Sequence, residues 1–177
     1  MARADELSAG EWAVLALLAE SPRHGWAAVQ ALAPHGEIGR VWSLPRPLVY
    51  RALETLKERQ LLENDHVENG GSGPRRTVMR PTRAGRARVK RWLREPVEHV
   101  RDARWLLLLK LLYCNRSSVD PRPLLEAQRA TLTSIEAGLT QQLEMADTSE
   151  QMLASFRLET ARAVHRFVER QLVLNNH

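Results

Sequence analysis

The stretch RPLVYRALETLKERQLLENDHVENGGSGPRRTVMRPTR, Arg46 to Arg83, changes its period as it runs. At its start Val49, Leu53 and Leu56 recur at intervals of four and three, the stripe of a helix core face. Two prolines, Pro45 and Pro47, suit a first helical turn, so the helix is expected from roughly Arg46 to Arg59. From Leu62 the pattern alternates: Leu62, Asn64 and His66 on one side, Glu63, Asp65 and Val67 on the other. Asn69-Gly70-Gly71-Ser72-Gly73-Pro74 then reads as a turn with three glycines, and Arg76 to Arg80 alternates again. Two short alternating runs around such a turn predict a β-hairpin. Thr82 caps a further helix to about Arg94, with Val89, Trp92 and Leu93 inward and basic residues outward.

Upstream, Ser8-Ala9-Gly10-Glu11 has the form of a capping box. It opens a helix with Trp12, Leu15 and Leu18 or Ala19 on one face, ended by Ser21-Pro22. His24-Gly25-Trp26 opens a second helix with Trp26, Val29 and Leu32 inward, closed by Pro34 and Gly36. The order helix, helix, helix, strand, turn, strand, helix is that of a winged helix-turn-helix, whose third helix enters the major groove while the hairpin reaches the backbone or minor groove.

Downstream, Pro96 marks a boundary between residues 1–95 and 96–177. The second part reads as helical throughout. Val97 to Asn115 is apolar nearly all round, which implies burial on more than one side. A long helix follows from Asp120-Pro121 to about Ala146, with Leu125, Leu132, Ile135 and Leu139 in a heptad-like seam and Gln128 and Gln142 between them. A last helix carries Met152, Phe156, Ala163, Phe167 and Leu174 on one stripe. Apolar seams this wide call for a partner surface, so a homodimer is expected. The fold class is therefore mainly α: an N-terminal winged helix-turn-helix with a two-stranded wing, then a C-terminal all-helical dimerisation segment.

Charge sharpens the functional reading. The net charge is +5 over 177 residues. Residues 39–94 hold 14 Lys and Arg against 5 Asp and Glu; residues 105–177 hold 8 against 8, and residues 1–38 are net acidic. The cationic excess thus coincides with the third helix, the wing and the helix after it, where a winged helix would meet double-stranded DNA. A single cysteine, Cys114, set in the apolar run Leu111-Leu112-Tyr113-Cys114, fits a small core residue in a reducing compartment. No run reaches the ~18 apolar residues of a membrane span. With Asp5 and Glu6 in place of a basic leader, a cytoplasmic protein without membrane association is expected. There is no phosphate loop, nucleophile elbow or paired-carboxylate signal, so no enzyme and no cofactor are expected. His24, His35, His66, His99, His165 and His177 lack metal spacing, and no metal is expected.

Leu7-Ser8, Glu11-Trp12-Ala13-Val14-Leu15-Ala16-Leu17-Leu18, Pro22-Arg23-His24-Gly25-Trp26, Leu48-Val49-Tyr50-Arg51-Ala52-Leu53, Leu61-Leu62, Arg75-Arg76-Thr77 and Thr82-Arg83-Ala84-Gly85 together resemble the PadR family of transcriptional regulators. The resemblance covers residues 7 to 95. It implies a homodimeric repressor whose C-terminal helices dimerise it, reading an operator with two half-sites. It also implies, for some members, a small aromatic or hydrophobic effector held between the domains. Pro45 departs from the pattern, because it cannot cap the third helix by side chain; Ser43 is the nearest hydroxyl.

The residues expected to meet DNA are Arg46, Leu48, Tyr50, Arg51, Lys57, Arg75, Arg76 and Arg80. Arg46, in the first turn of the third helix, is the candidate base reader, since arginine pairs bidentately with guanine; the alternative is a phosphate contact. Tyr50 either donates to phosphate or packs between helices. Arg51 and Lys57 suit backbone contacts, and Arg75 and Arg76 the wing. Arg80 and Arg83 either flank phosphates or are ordinary surface charge. Trp92 and Trp105 lie on either side of the boundary and either bracket an effector or fill the junction. The rival reading is a winged-helix adaptor for protein interactions that has lost DNA binding.

Overall fold

The computed structural model describes residues 6–68 and 75–175; the expected glycine-rich turn at Asn69–Pro74 lies outside them. The elements run α1 (Ala9–Glu20), β1 (Arg23–His24), α2 (Gly25–Leu32), α3 (Arg46–Glu58), β2 (Leu62–Glu68), β3 (Arg76–Pro81) and α4 (Arg83–Trp92). There follow α5 (Val100–Asp102), a π-helical turn (Ala103–Leu107), α6 (Leu108–Arg116), α7 (Arg122–Met145) and α8 (Gln151–Leu174). The chain divides into two compact units. One comprises the residues up to Trp92 together with Leu112–Ser118; the other comprises Leu93–Leu111 and the residues from Val119 onward.

The first unit is a winged helix. Ser8 and Glu11 form the capping box that starts α1: the Ser8 hydroxyl accepts from the Glu11 amide, and the Glu11 carboxylate accepts from the Ser8 amide. Ala13 to Leu18 are all buried, so α1 is covered on every side and serves as the axis of the unit. Val49, Ala52, Leu53 and Leu56 are the buried face of α3, as its periodicity requires. Gln60, at φ 57°, takes the left-handed turn that ends this segment. Its carbonyl accepts from the Thr82 hydroxyl, which in turn accepts from the Gly85 amide and so caps α4. Gly85 has no room for a side chain, because a Cβ there would lie 2.2 Å from the Leu61 carbonyl oxygen.

The wing is the antiparallel pair β2 and β3, and β1 adds to it, giving the order β1-β3-β2. Arg23 and His24 stand opposite Met79 and Val78. This two-residue strand was not expected, because two residues carry no period. Asp65 is the extra residue of a bulge between Asn64 and His66. The end of α6 completes the unit. Tyr113, fully buried, donates its hydroxyl to the Ala13 carbonyl at 2.6 Å, and burial raises its pKa above the usual phenol range. Arg116 grips Glu20 through two bonds of 2.8 Å and Glu37 through one of 2.6 Å. Such a forked pairing fixes geometry as well as charge. Cys114 is buried, as expected of a small core residue.

The second unit is a helical layer in which α7 and α8 pack antiparallel along their length. Its core is Val97, Ala103, Leu107, Leu124, Leu125, Leu132, Val168 and Leu172. Gln128 is buried inside it, accepting from the Val97 amide at 2.6 Å and donating to the Val97 carbonyl at 3.0 Å. On α8 the expected stripe is not the face that the chain itself covers. The face covered within the chain is Ala154, Leu158, Ala161, Val168 and Leu172, whereas Met152 is 80% exposed and Phe156 69% exposed. At 100° per residue the two sets fall on nearly opposite sides of the helix. The small Ala154 and Ala161 suit close approach to α7; Met152, Phe156 and Leu174 are left outward, while Phe167 packs against the core.

Candidate nucleic-acid interface

Pro45 precedes α3 with no side-chain cap, and Pro47 occupies the second helical position, so the helix begins at Arg46. A proline in the first turn costs nothing, since the amide it lacks would have had no partner within the helix. Arg46 is exposed, but its guanidinium is not loose. It lies over the Trp26 ring at 5.6 Å and over the Tyr50 ring at 5.7 Å. Both distances are within the range of cation–π attraction. Trp26 therefore does not face inward as expected: it is 43% exposed. Val29 and Leu32 occupy the inward face of α2, and the indole at the helix start is left to support Arg46.

Tyr50 follows Arg46 by one turn and stands against the start of α2. Gly25 permits this, because a Cβ on Gly25 would come within 2.8 Å of Tyr50 Cε1. Leu48, Arg51 and Lys57 are exposed on α3, with Lys57 in its last turn. Arg75 is exposed immediately before β3, and Arg76 is its first residue. A groove of about 420 Å³ separates α3 from the wing, lined by His24, Trp26, Tyr50, Glu54, Lys57 and Arg76 among others. Three of the expected DNA-contacting residues, Tyr50, Lys57 and Arg76, thus face one cleft.

Arg80 is placed differently. Its Nε donates to Glu63 at 2.8 Å, and a terminal nitrogen stands 2.9 Å from Asp65, the bulge residue. The Glu63 hydrogen bond, followed by the charges of Asp65 and Glu63, raises its pKa. Arg80 would have to exchange both carboxylates to take a phosphate. Trp92 is buried, stacked on Trp12 with ring centroids 5.1 Å apart and planes 7° from parallel, and Tyr113 lies tilted against it at 6.3 Å. Trp92 is thus an interior residue of the first unit. Trp105 is half-buried in the π-helical turn of the second.

The sequence reading missed His24 and Trp26 as parts of this face. The signal present is the His-Gly-aromatic turn, Pro22-Arg23-His24-Gly25-Trp26. Among the described residues no group of His, Cys, Asp and Glu is arranged to hold a metal ion, and no helix is long and apolar enough to cross a membrane.

Residues 14–91 match the model of the transcriptional regulator PadR-like family. Among solved structures the chain is similar to Bacillus subtilis PadR in complex with operator DNA, at 18% identity and a TM-score of 0.46, covering 94% of this chain and 99% of that one. It is also similar to smu.1604c from Streptococcus mutans UA159, at 13% identity and a TM-score of 0.44, covering 93% and 98%. Comparison with curated proteins gives no match.

Proposed function

We propose, from the premise that residues 14–91 belong to the PadR-like family of transcriptional regulators, that this chain represses transcription by binding an operator in double-stranded DNA as a homodimer. The observation that carries the reading is the stacking of Arg46 on Trp26 and Tyr50 at the exposed start of α3, beside a groove walled by Lys57 and Arg76. A guanidinium lying over two rings has already lost some of its freedom, so less remains to be lost when it engages a guanine edge. Leu48 and Arg51 share the exposed part of the same helix. The groove, with α3 on one side and the wing on the other, offers Lys57 and Arg76 to a sugar–phosphate strand.

The roles are separable. Arg46→Ala should weaken binding to the operator by about 1–3 kcal/mol while changing binding to random duplex little. Arg76→Ala should weaken both alike. Fluorescence anisotropy on specific and random duplexes distinguishes the two, and identical behaviour of the variants would show that α3 does not read bases. A wild-type protein that binds no duplex at all would favour the protein-interaction adaptor.

The homodimer is supported by the outward stripe of α8, where Met152, Phe156 and Leu174 are all exposed. Large apolar side chains exposed along one side of a helix suit a partner surface. Phe156→Arg should shift sedimentation at micromolar concentration from dimer to monomer. Operator affinity should fall with it, because two half-sites are then no longer gripped together. A wild-type monomer at that concentration would rule the dimer out.

A further inference from the structure

His24 stands where α2, the sheet and the groove meet. Its Nδ1 accepts a hydrogen bond from the Ala27 amide at 3.1 Å, which makes it the cap of α2. Its Nε2 lies 3.4 Å from a terminal nitrogen of Arg76. A neutral imidazole has one N–H and one acceptor nitrogen. Once Nδ1 accepts from a backbone amide, which can only donate, the proton of the neutral ring resides on Nε2. The contact with Arg76 is then a meeting of two donors. Neither can satisfy the other, and both edge the groove that Tyr50 and Lys57 also line.

From this geometry we infer that His24 Nε2–H and Arg76 together form a seat for one backbone phosphate of the bound duplex. This rests on the proposed DNA binding and adds a contact to it. An oxyanion placed between the two nitrogens would accept from both and turn a donor–donor clash into two hydrogen bonds, one of them charge-assisted. The pairing of β1 with β3 puts the ring there: His24 is opposite Val78, two residues along the strand from Arg76. Two carboxylates are near. Glu54 lines the same groove, and Glu68 stands opposite Arg76 in the sheet register. Both disfavour an anion there, so the two donors must act together to hold one.

The test uses His24→Asn. Asparagine is a good helix cap, so it keeps an acceptor for the Ala27 amide and removes only the outward donor. Operator affinity should fall about ten- to a hundredfold, the loss expected for one hydrogen bond to a charged group. The slope of log affinity against log salt should change little in His24→Asn, whereas Arg76→Ala, which removes one cation from each protomer, should lower it by about two. The ring nitrogens should show the Nε2–H form by ¹⁵N chemical shifts in free protein, with or without DNA binding. Three results would each overturn the seat: a ring protonated on Nδ1; unaltered affinity in a His24→Asn protein that melts like wild type; or inorganic phosphate filling the site without displacing duplex. Failure of the wild type to bind duplex, with the Nε2–H form intact, would instead sink the proposed function.

Discussion

Raising monovalent salt from about 50 to 200 mM should weaken duplex binding on the order of a thousandfold, if Lys57, Arg75 and Arg76 of two protomers neutralise roughly six phosphates. Each neutralised phosphate releases about 0.9 of a condensed counterion, so the log–log slope counts the contacts. The three cations are exposed and lie on α3 and at the wing. Arg80 is left out of that count because Glu63 and Asp65 already neutralise it. Arg80→Ala should therefore change the slope less than Arg76→Ala. Affinity that stays constant across this salt range would mean that the cationic stretch does not meet the DNA backbone.

The second large effect concerns stability. Gln128→Leu should destabilise the second unit by roughly 2–4 kcal/mol, read as a lower denaturation midpoint in urea with the helical circular dichroism signal as probe. The side chain is 1% exposed and makes two bonds to the backbone of Val97. Leucine is close in volume, so little cavity forms. What is lost is the partner of a buried N–H and of a buried C=O, and each such group costs about 1–3 kcal/mol when stripped. Gln142→Leu is the control. That residue lies two heptads on along α7 but is exposed, and its replacement should change the unfolding free energy by no more than about 0.5 kcal/mol. Equal midpoints for Gln128→Leu and wild type would mean that Val97 finds other partners.

The winged helix was legible because its elements are long enough to show a period. The stripe Val49, Leu53 and Leu56 gave α3, the capping box gave the start of α1, and the alternation from Leu62 and again from Arg76 gave the wing. Arg46, Tyr50 and Lys57 were legible as an exposed face for the same reason. β1 was not, being two residues long, and with it went the role of His24. Trp26 was assigned inward because an indole in an apolar helix usually is; its actual place depends on Arg46, twenty residues away in the chain.

Periodicity states which side chains share a face; it does not state what covers that face. On α8 the sequence placed Met152, Phe156, Ala163, Phe167 and Leu174 on one stripe, and only tertiary packing decided that Ala154, Leu158 and Val168 are covered within the chain while Met152 and Phe156 face outward. On α7 it placed Gln128 and Gln142 on one side, and only the fold brought the Val97 backbone to Gln128. The physical reason is common to both cases. A helix fixes the directions of its side chains through local backbone geometry, whereas the cost or gain of each direction depends on groups that are remote in the chain and become neighbours only when it folds.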